Sequence, residues 1–235
     1  ANCALFQSLP ERHDTIIFDA LIHASAREGI QNSLAAHLRV PHNDLTAYEE
    51  ALKKADGQKW IAVESVYSMD GDIAPLEKLY ALAEDYDAVL VIDEAHGSGI
   101  YGAQGRGCSA EIIARYGMER IITLHTCGKA IGVAGGLVCA SSSVIDTLIN
   151  SARGFIYSTA PLPLQAFLVQ KSLEILSGTE GDASRQKLFV LNATAQKLFG
   201  GAGSQVVPIL VGADHKAVEV AEALPAMANN YSSRF

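Results

Sequence analysis

The sequence predicts an α/β fold built on a mostly parallel central sheet flanked by helices, and three observations carry that reading. Short apolar runs rich in β-branched residues alternate with longer stretches of helical period. Polar residues able to do chemistry follow directly on the ends of those apolar runs. The chain of 235 residues is 49% hydrophobic and 19% charged, which is enough apolar material for a buried two-sided sheet.

Strands are expected at Ile16–Phe18, Ile61–Glu64, Ala88–Asp93, Ile121–Leu124, Gly136–Cys139 and Val206–Val211. Helices are expected at Leu45–Lys54, Pro75–Asp85, Ala110–Tyr116, Ser142–Ser151, Leu162–Leu176, Ser184–Leu198 and His215–Leu224. The helix near Pro75 is the best signalled. Proline is preorganised for a first turn, and Leu76, Leu79, Tyr80, Leu82 and Ala83 make an apolar stripe. Gly, Ser and Asp break both periodicities over Leu176–Ser184, so a hinge is expected there. It divides a large domain, 1–178, from the start of a small C-terminal domain, 179–235. Neither the opening Ala1-Asn2-Cys3 nor the closing Asn229–Phe235 reads as a natural domain boundary, so the sequence is expected to be part of a longer chain.

Composition excludes several function classes. A net charge of -8 argues against a nucleic-acid surface. No apolar run approaches the ~20 residues of a membrane span, and the start lacks a signal-peptide pattern. Four scattered cysteines without a C-x-x-C pair point to reduced thiols and a cytoplasmic protein. The seven histidines show no metal-binding spacing, so no metal is expected.

Ligands of parallel α/β sheets gather beyond the carboxyl ends of the strands. Asp93-Glu94-Ala95-His96-Gly97 follows one expected strand, and His125-Thr126-Cys127-Gly128-Lys129 another. Glu64-Ser65-Val66-Tyr67-Ser68 follows a third, and Asp19 with His23-Ala24-Ser25 a fourth. Each residue alone has a plainer reading. Asp93 could cap a helix, Lys129 could be a solvated lysine, and His23 and His96 could be structural. Lys129, however, sits in a tract almost without charge, where burial would lower its pKa and free the amine for Schiff-base chemistry. Gly97-Ser98-Gly99-Ile100-Tyr101-Gly102 fits G-x-G-x-x-G literally, but a dinucleotide fingerprint should open a helix directly after its strand.

Taken together, Asp93–Gly99 and Thr126–Gly132 resemble the α-oxoamine synthases, fold-type-I pyridoxal-phosphate (PLP) transferases similar in fold to aspartate aminotransferase. His23-Ala24-Ser25, Tyr67–Leu76, Gly105-Arg106-Gly107 and Tyr157-Ser158-Thr159 extend the match. The resemblance implies that Lys129 carries PLP as a Schiff base, with Asp93 on the pyridine nitrogen and His23 stacked on the ring. It further implies that Ser68 and His96 lie near the phenolic oxygen and that Thr126 contacts the phosphate. Ser158 and Thr159 would reach the phosphate of a partner subunit in a homodimer. The implied reaction is a decarboxylative condensation of two small molecules, an amino acid and an acyl thioester. Asp72–Leu76 and Gly97 favour the branch of biotin biosynthesis that joins L-alanine to a pimeloyl thioester over those using glycine or serine. Arg153 and Arg106 are candidates for the substrate-carboxylate grip by proximity in sequence alone.

Overall fold

Strict alternation of side chains along the strands divides the apolar core between the two faces of one sheet. In the computed structural model, which describes residues 1–232, the strands are β1 (Thr15–Asp19), β2 (Ala36–Val40), β3 (Lys59–Glu64), β4 (Ala88–Asp93), β5 (Ile121–Thr126) and β6 (Gly136–Cys139). They lie in the order β2-β1-β3-β4-β5-β6. Every neighbouring pair is parallel except β5–β6, which is antiparallel.

Ile17, Ile61, Val63, Leu90 and Ile92 turn to one face and pack with Tyr48, Leu52, Leu76, Leu79 and Ile112. These last come from α3 (Leu45–Lys54), α4 (Leu76–Asp85) and α5 (Ala110–Tyr116). Ile16, Phe18, Trp60, Ala62 and Val91 turn to the other face, against Leu5, Phe6, Ala26 and Ile30 of α1 (Asn2–Ser8) and α2 (Ala24–Gln31). A period of two residues can fill two cores only if both faces are covered, which is why the strands read as continuous apolar runs. The chain continues through α6 (Ser142–Ser151), α7 (Arg153–Ile156), α8 (Pro163–Ser177), α9 (Thr179–Phe199) and α10 (Asp214–Ser232). Among the described residues, no helix is long and apolar enough to cross a membrane.

Three expectations need correction. Strand β2 was not foreseen. It is an edge strand whose Ala36, His37, Leu38 and Arg39 are all exposed, so its sequence lacks the apolar signature of the inner strands. Val206–Val211 is irregular rather than a strand. A strand needs a neighbour for its backbone groups, and no described segment pairs with it. Of the expected hinge over Leu176–Ser184, only Gly178 lies outside a helix. Glu180 and Asp182 sit in the first turn of α9, where acidic side chains suit the helix dipole. Arg185, only 8% exposed, donates to the carbonyls of Leu176 at 2.8 Å and Gly99 at 3.3 Å. Breaker residues here start a helix that Arg185 ties to α8 and to the turns after β4.

Candidate active site

The carboxyl ends of β3, β4 and β5 open into a cavity of about 370 Å³, a size suited to a small cofactor. Its lining includes His23, Glu64, Asp93, His96, Thr126 and Lys129. Five residues expected from the sequence thus meet in one place, each delivered by the strand or turn it follows.

Asp93, the last residue of β4, is 8% exposed. Its Oδ1 accepts the Ala95 amide at 2.9 Å and its Oδ2 the Asn2 side-chain amide at 2.8 Å. A carboxylate offers about four lone-pair sites, so room remains for a third donor from within the cavity. His96 follows in the turn after β4, and its Nε2 lies 2.6 Å from Lys129 Nζ. Burial, and then the Lys129 charge, hold the His96 pKa below the ordinary histidine value. Gln205 donates to the His96 carbonyl at 2.7 Å, bringing the segment after α9 to the site.

Lys129 stands in the loop between β5 and β6, and its side chain is exposed rather than enclosed. Its uncharged neighbours form a surface turn, closed by the Gly132 amide on the Lys129 carbonyl at 3.0 Å, so they do not bury it. Partial desolvation still lowers its pKa, against the opposing pull of Asp93 and Glu64. His23 caps α2: its Nδ1 accepts the Ser25 amide at 3.2 Å and lies 2.8 Å from Ser25 Oγ. Its exposed ring is left free at the cavity wall. Thr126, the last residue of β5, is half-buried at the floor.

Ser68 does not line the cavity but stands in the turn behind Glu64. Ser158 and Thr159 are exposed and outside it, as are Arg106 and Arg153. The G-x-G-x-x-G run forms successive turns and then a short 3-10 segment, Ala103–Gly105, so it opens no helix for a dinucleotide.

Sequence reasoning set Glu64 at a strand end without giving it a role, and it passed over Asn2. Glu64 closes β3, 2% exposed, and its Oε1 has no hydrogen-bond partner among the described residues. Burial, and next the Asp93 charge, push its pKa up to about 7; the His23 amide, Lys129 and the Ser68 amide oppose this less strongly. Its position at a strand end, in register with Asp93, was the available signal. Asn2 bridges Asp93 and Ser25, the latter at 3.0 Å, and nothing in a local reading connects residue 2 to residue 93.

The Glu64 shift has a measurable consequence. Because the folded state holds the proton more tightly than the unfolded chain, Glu64 should make stability fall as pH rises from about 4.5 to about 7. The full span corresponds to roughly 3 kcal/mol. Urea unfolding of cofactor-free protein across that range should show the slope, and Glu64→Gln should flatten it.

The donor set fits PLP: a primary amine, a carboxylate with an open lone pair to face a pyridinium, an imidazole face, a hydroxyl, and an unpartnered buried carboxylate oxygen. The comparisons agree. The family model described as aminotransferase class I and II matches residues 1–209. An 8-amino-7-oxononanoate synthase of Herminiimonas arsenicoxydans is 40% identical over 237 residues, covering 95% of this chain and 60% of the relative. Another from Chromobacterium violaceum is 41% identical, covering 95% of this chain and 59% of the relative. Among solved structures, a serine palmitoyltransferase from S. paucimobilis matches with a TM-score of 0.81 at 25% identity, over 91% of this chain and 57% of that one. An 8-amino-7-oxononanoate synthase from Francisella tularensis matches at 0.74 and 29%, over 88% and 60%. The chain thus spans about 60% of the length of the curated relatives it matches. With the motifs, the parallel sheet and a family model covering most of its length in agreement, this chain belongs to the class I and II aminotransferase family, with the fold-type-I architecture of PLP transferases.

Proposed function

We propose that the protein of which this chain is part binds PLP and condenses L-alanine with a pimeloyl thioester, releasing CO2 and the thiol and giving 8-amino-7-oxononanoate in biotin biosynthesis. The observation that carries this reading is the meeting of Lys129, Asp93, His96 and His23 at one cavity over the carboxyl ends of the sheet. The names of the relatives at 40–41% identity support the choice of reaction.

When bound, PLP supplies the electron sink for negative charge left at the amino acid's Cα. Asp93 keeps the pyridine nitrogen protonated, which maintains that sink. Lys129 would hold the cofactor covalently through Nζ, and its neutral amine would take the Cα proton of the substrate. Its lowered pKa raises the fraction of neutral amine available for both tasks. Of the cavity lining, His23 would cover one ring face and Thr126 would receive the phosphate. His96, held against Lys129 Nζ, would share the proton traffic at the phenolic oxygen, and Ser68 would act from the turn behind Glu64. Ser158 and Thr159 serve a partner's site in a homodimer. The exposed Phe155, Ile156, Tyr157, Leu162 and Leu164 around them support a surface covered by another subunit. Gly178 marks the border between the large domain and the start of the small one. A cytoplasmic location is supported by four cysteines that form no disulfide among the described residues.

A second reading is a sister enzyme using serine and a long-chain thioester, favoured by the 0.81 TM-score to serine palmitoyltransferase. A turnover screen of the full-length enzyme decides between them, pairing alanine, glycine and serine with pimeloyl, acetyl and palmitoyl thioesters. Alanine with pimeloyl thioester is expected to lead, and a preference for glycine or serine sinks the biotin assignment.

A further inference from the structure

Behind the cavity, on the side away from Lys129, two consecutive residues bridge the same two carboxylates. His42 and Asn43 lie between β2 and α3. His42 Nδ1 is 2.8 Å from Asp19 Oδ1, and its Nε2 is 2.8 Å from Asp72 Oδ2. The Asn43 amide donates to Asp19 Oδ2 at 2.9 Å, and its side-chain amide to Asp72 Oδ2 at 2.5 Å. Asn43 adopts φ +52° to do so, a conformation that asparagine tolerates better than most residues.

The two carboxylates belong to the turns that carry His23 and Ser68. Asp19 ends β1, is fully buried, and accepts the Leu21 amide at 2.8 Å, fixing the turn that runs on to His23. Asp72 closes the other turn, where its carbonyl accepts the Tyr67 amide at 3.0 Å and the Tyr67 carbonyl accepts the Gly71 amide at 3.0 Å. Ser68 lies inside that turn. Tyr67 also sets its ring edge-on to His42, 4.4 Å between centroids.

We infer that His42 is an imidazolium crosspiece that holds the His23 turn and the Ser68 turn at a fixed separation, and so positions the His23 wall of the cofactor cavity against the turn behind Glu64. The chemistry requires the charge. Ionised carboxylates only accept, so a histidine facing one at each nitrogen satisfies both only when doubly protonated. Partial burial pulls the His42 pKa down, but Asp19 and Asp72 together outweigh it and leave it raised. The groups facing the ring are Asp19 from β1, Asp72 and Tyr67 from the turn after β3, and Asn43 beside it; Tyr48 of α3 also feels the Asp19 charge. Atoms of His42, Asp70 and Asp72 also lie within 4.8 Å of one another. With both ring nitrogens aimed at carboxylates, a proton takes the place where a cation would have to bind.

The sign follows. A histidine with a raised folded pKa contributes fully below its unfolded value near 6.5 and loses that contribution as pH rises through the folded value. The inference rests on the proposed cofactor for its functional meaning, but its test does not. Full-length protein carrying 15N-labelled histidine is titrated by NMR with and without PLP. At about pH 7.5, where an ordinary histidine is neutral, both His42 nitrogens should remain protonated. The His23 ring signals should show an inflection at the His42 midpoint. Asp72→Asn should lower that midpoint and move both signals together, while Asn43→Ala, which keeps the charge, should leave both nitrogens protonated. A neutral His42 at pH 7.5, a His23 signal indifferent to its titration, or zinc bound by the untreated protein would each overturn the crosspiece. In loaded enzyme, PLP affinity should weaken about tenfold as His42 deprotonates, the scale of one charge-assisted hydrogen bond. His42→Gln should remove that pH dependence, and its persistence would overturn the positioning role. Failure of wild-type protein to take up PLP would instead count against the proposed function, and the NMR titration would still decide the crosspiece.

Discussion

Lys129→Ala is expected to reduce turnover of the full-length enzyme by at least ~10³-fold, because in the proposed reaction one amine both anchors the cofactor and moves the Cα proton. Borohydride treatment followed by peptide mass analysis should find the reduced cofactor on Lys129 in the wild type and nowhere in the variant. Lys129→Arg separates charge from chemistry. It keeps a cation next to Asp93 and Glu64, the groups that interact with the Lys129 charge, yet an arginine at neutral pH neither forms the covalent link nor accepts a proton. Equal loss in both variants assigns the effect to the amine. Fixation on another lysine in wild-type protein would remove Lys129 from its role.

The second large effect concerns stability. Glu94 is fully buried and organises the loop beyond β4. Its carboxyl accepts Ser65 Oγ at 2.7 Å, the Cys108 amide at 3.1 Å and the Ser109 amide at 2.6 Å. Two glycines make room for it. A Cβ at Gly97 would stand 2.0 Å from Glu94 Oε2, and one at Gly107, where φ is +110°, 2.6 Å from its carboxyl carbon. Glu94→Ala strands three buried donors at ~1–3 kcal/mol each, relieved in part by loss of a buried acid, so a net cost of about 3–5 kcal/mol is expected. Glu94→Gln keeps the volume but aims an NH2 at groups that donate, and should cost less, about 1–3 kcal/mol. Urea denaturation reads both. An alanine variant within 1 kcal/mol of wild type would show that water enters and replaces the carboxyl.

The inner strands were legible because burial on both faces imposes continuous apolar runs, as in Ala88–Asp93. The edge strand β2 escaped because solvent, not the core, sets its composition. The candidate site residues that terminate strands, Asp93 and Thr126, were marked by position together with the motifs around them. Glu64 had the same position but lacked a motif to mark it, and its meaning comes from the Asp93 charge beside it in register. Asn2 and the His42 bridge depend on contacts across 91 and 30 residues, which no local pattern encodes. Lys129 was singled out for a burial that the structure does not show. Its uncharged neighbours make a turn on the surface, and the perturbing charges come from β3 and β4.

The reversal between β5 and β6 bears on how that lysine works. Glu64 and Asp93 end strands whose connections cross to the next parallel strand, and His23 lies on such a connection. The loop of Lys129, by contrast, is pinched shut where Thr126 pairs with Gly136 and the Cys127 amide meets the Gly135 carbonyl at 3.0 Å. An amine on so short a closed tether stays near its target after the bond to it is broken. In the proposed reaction its effective concentration would then remain far above that of any free amine in solution, favouring recapture of the cofactor over its loss to solvent.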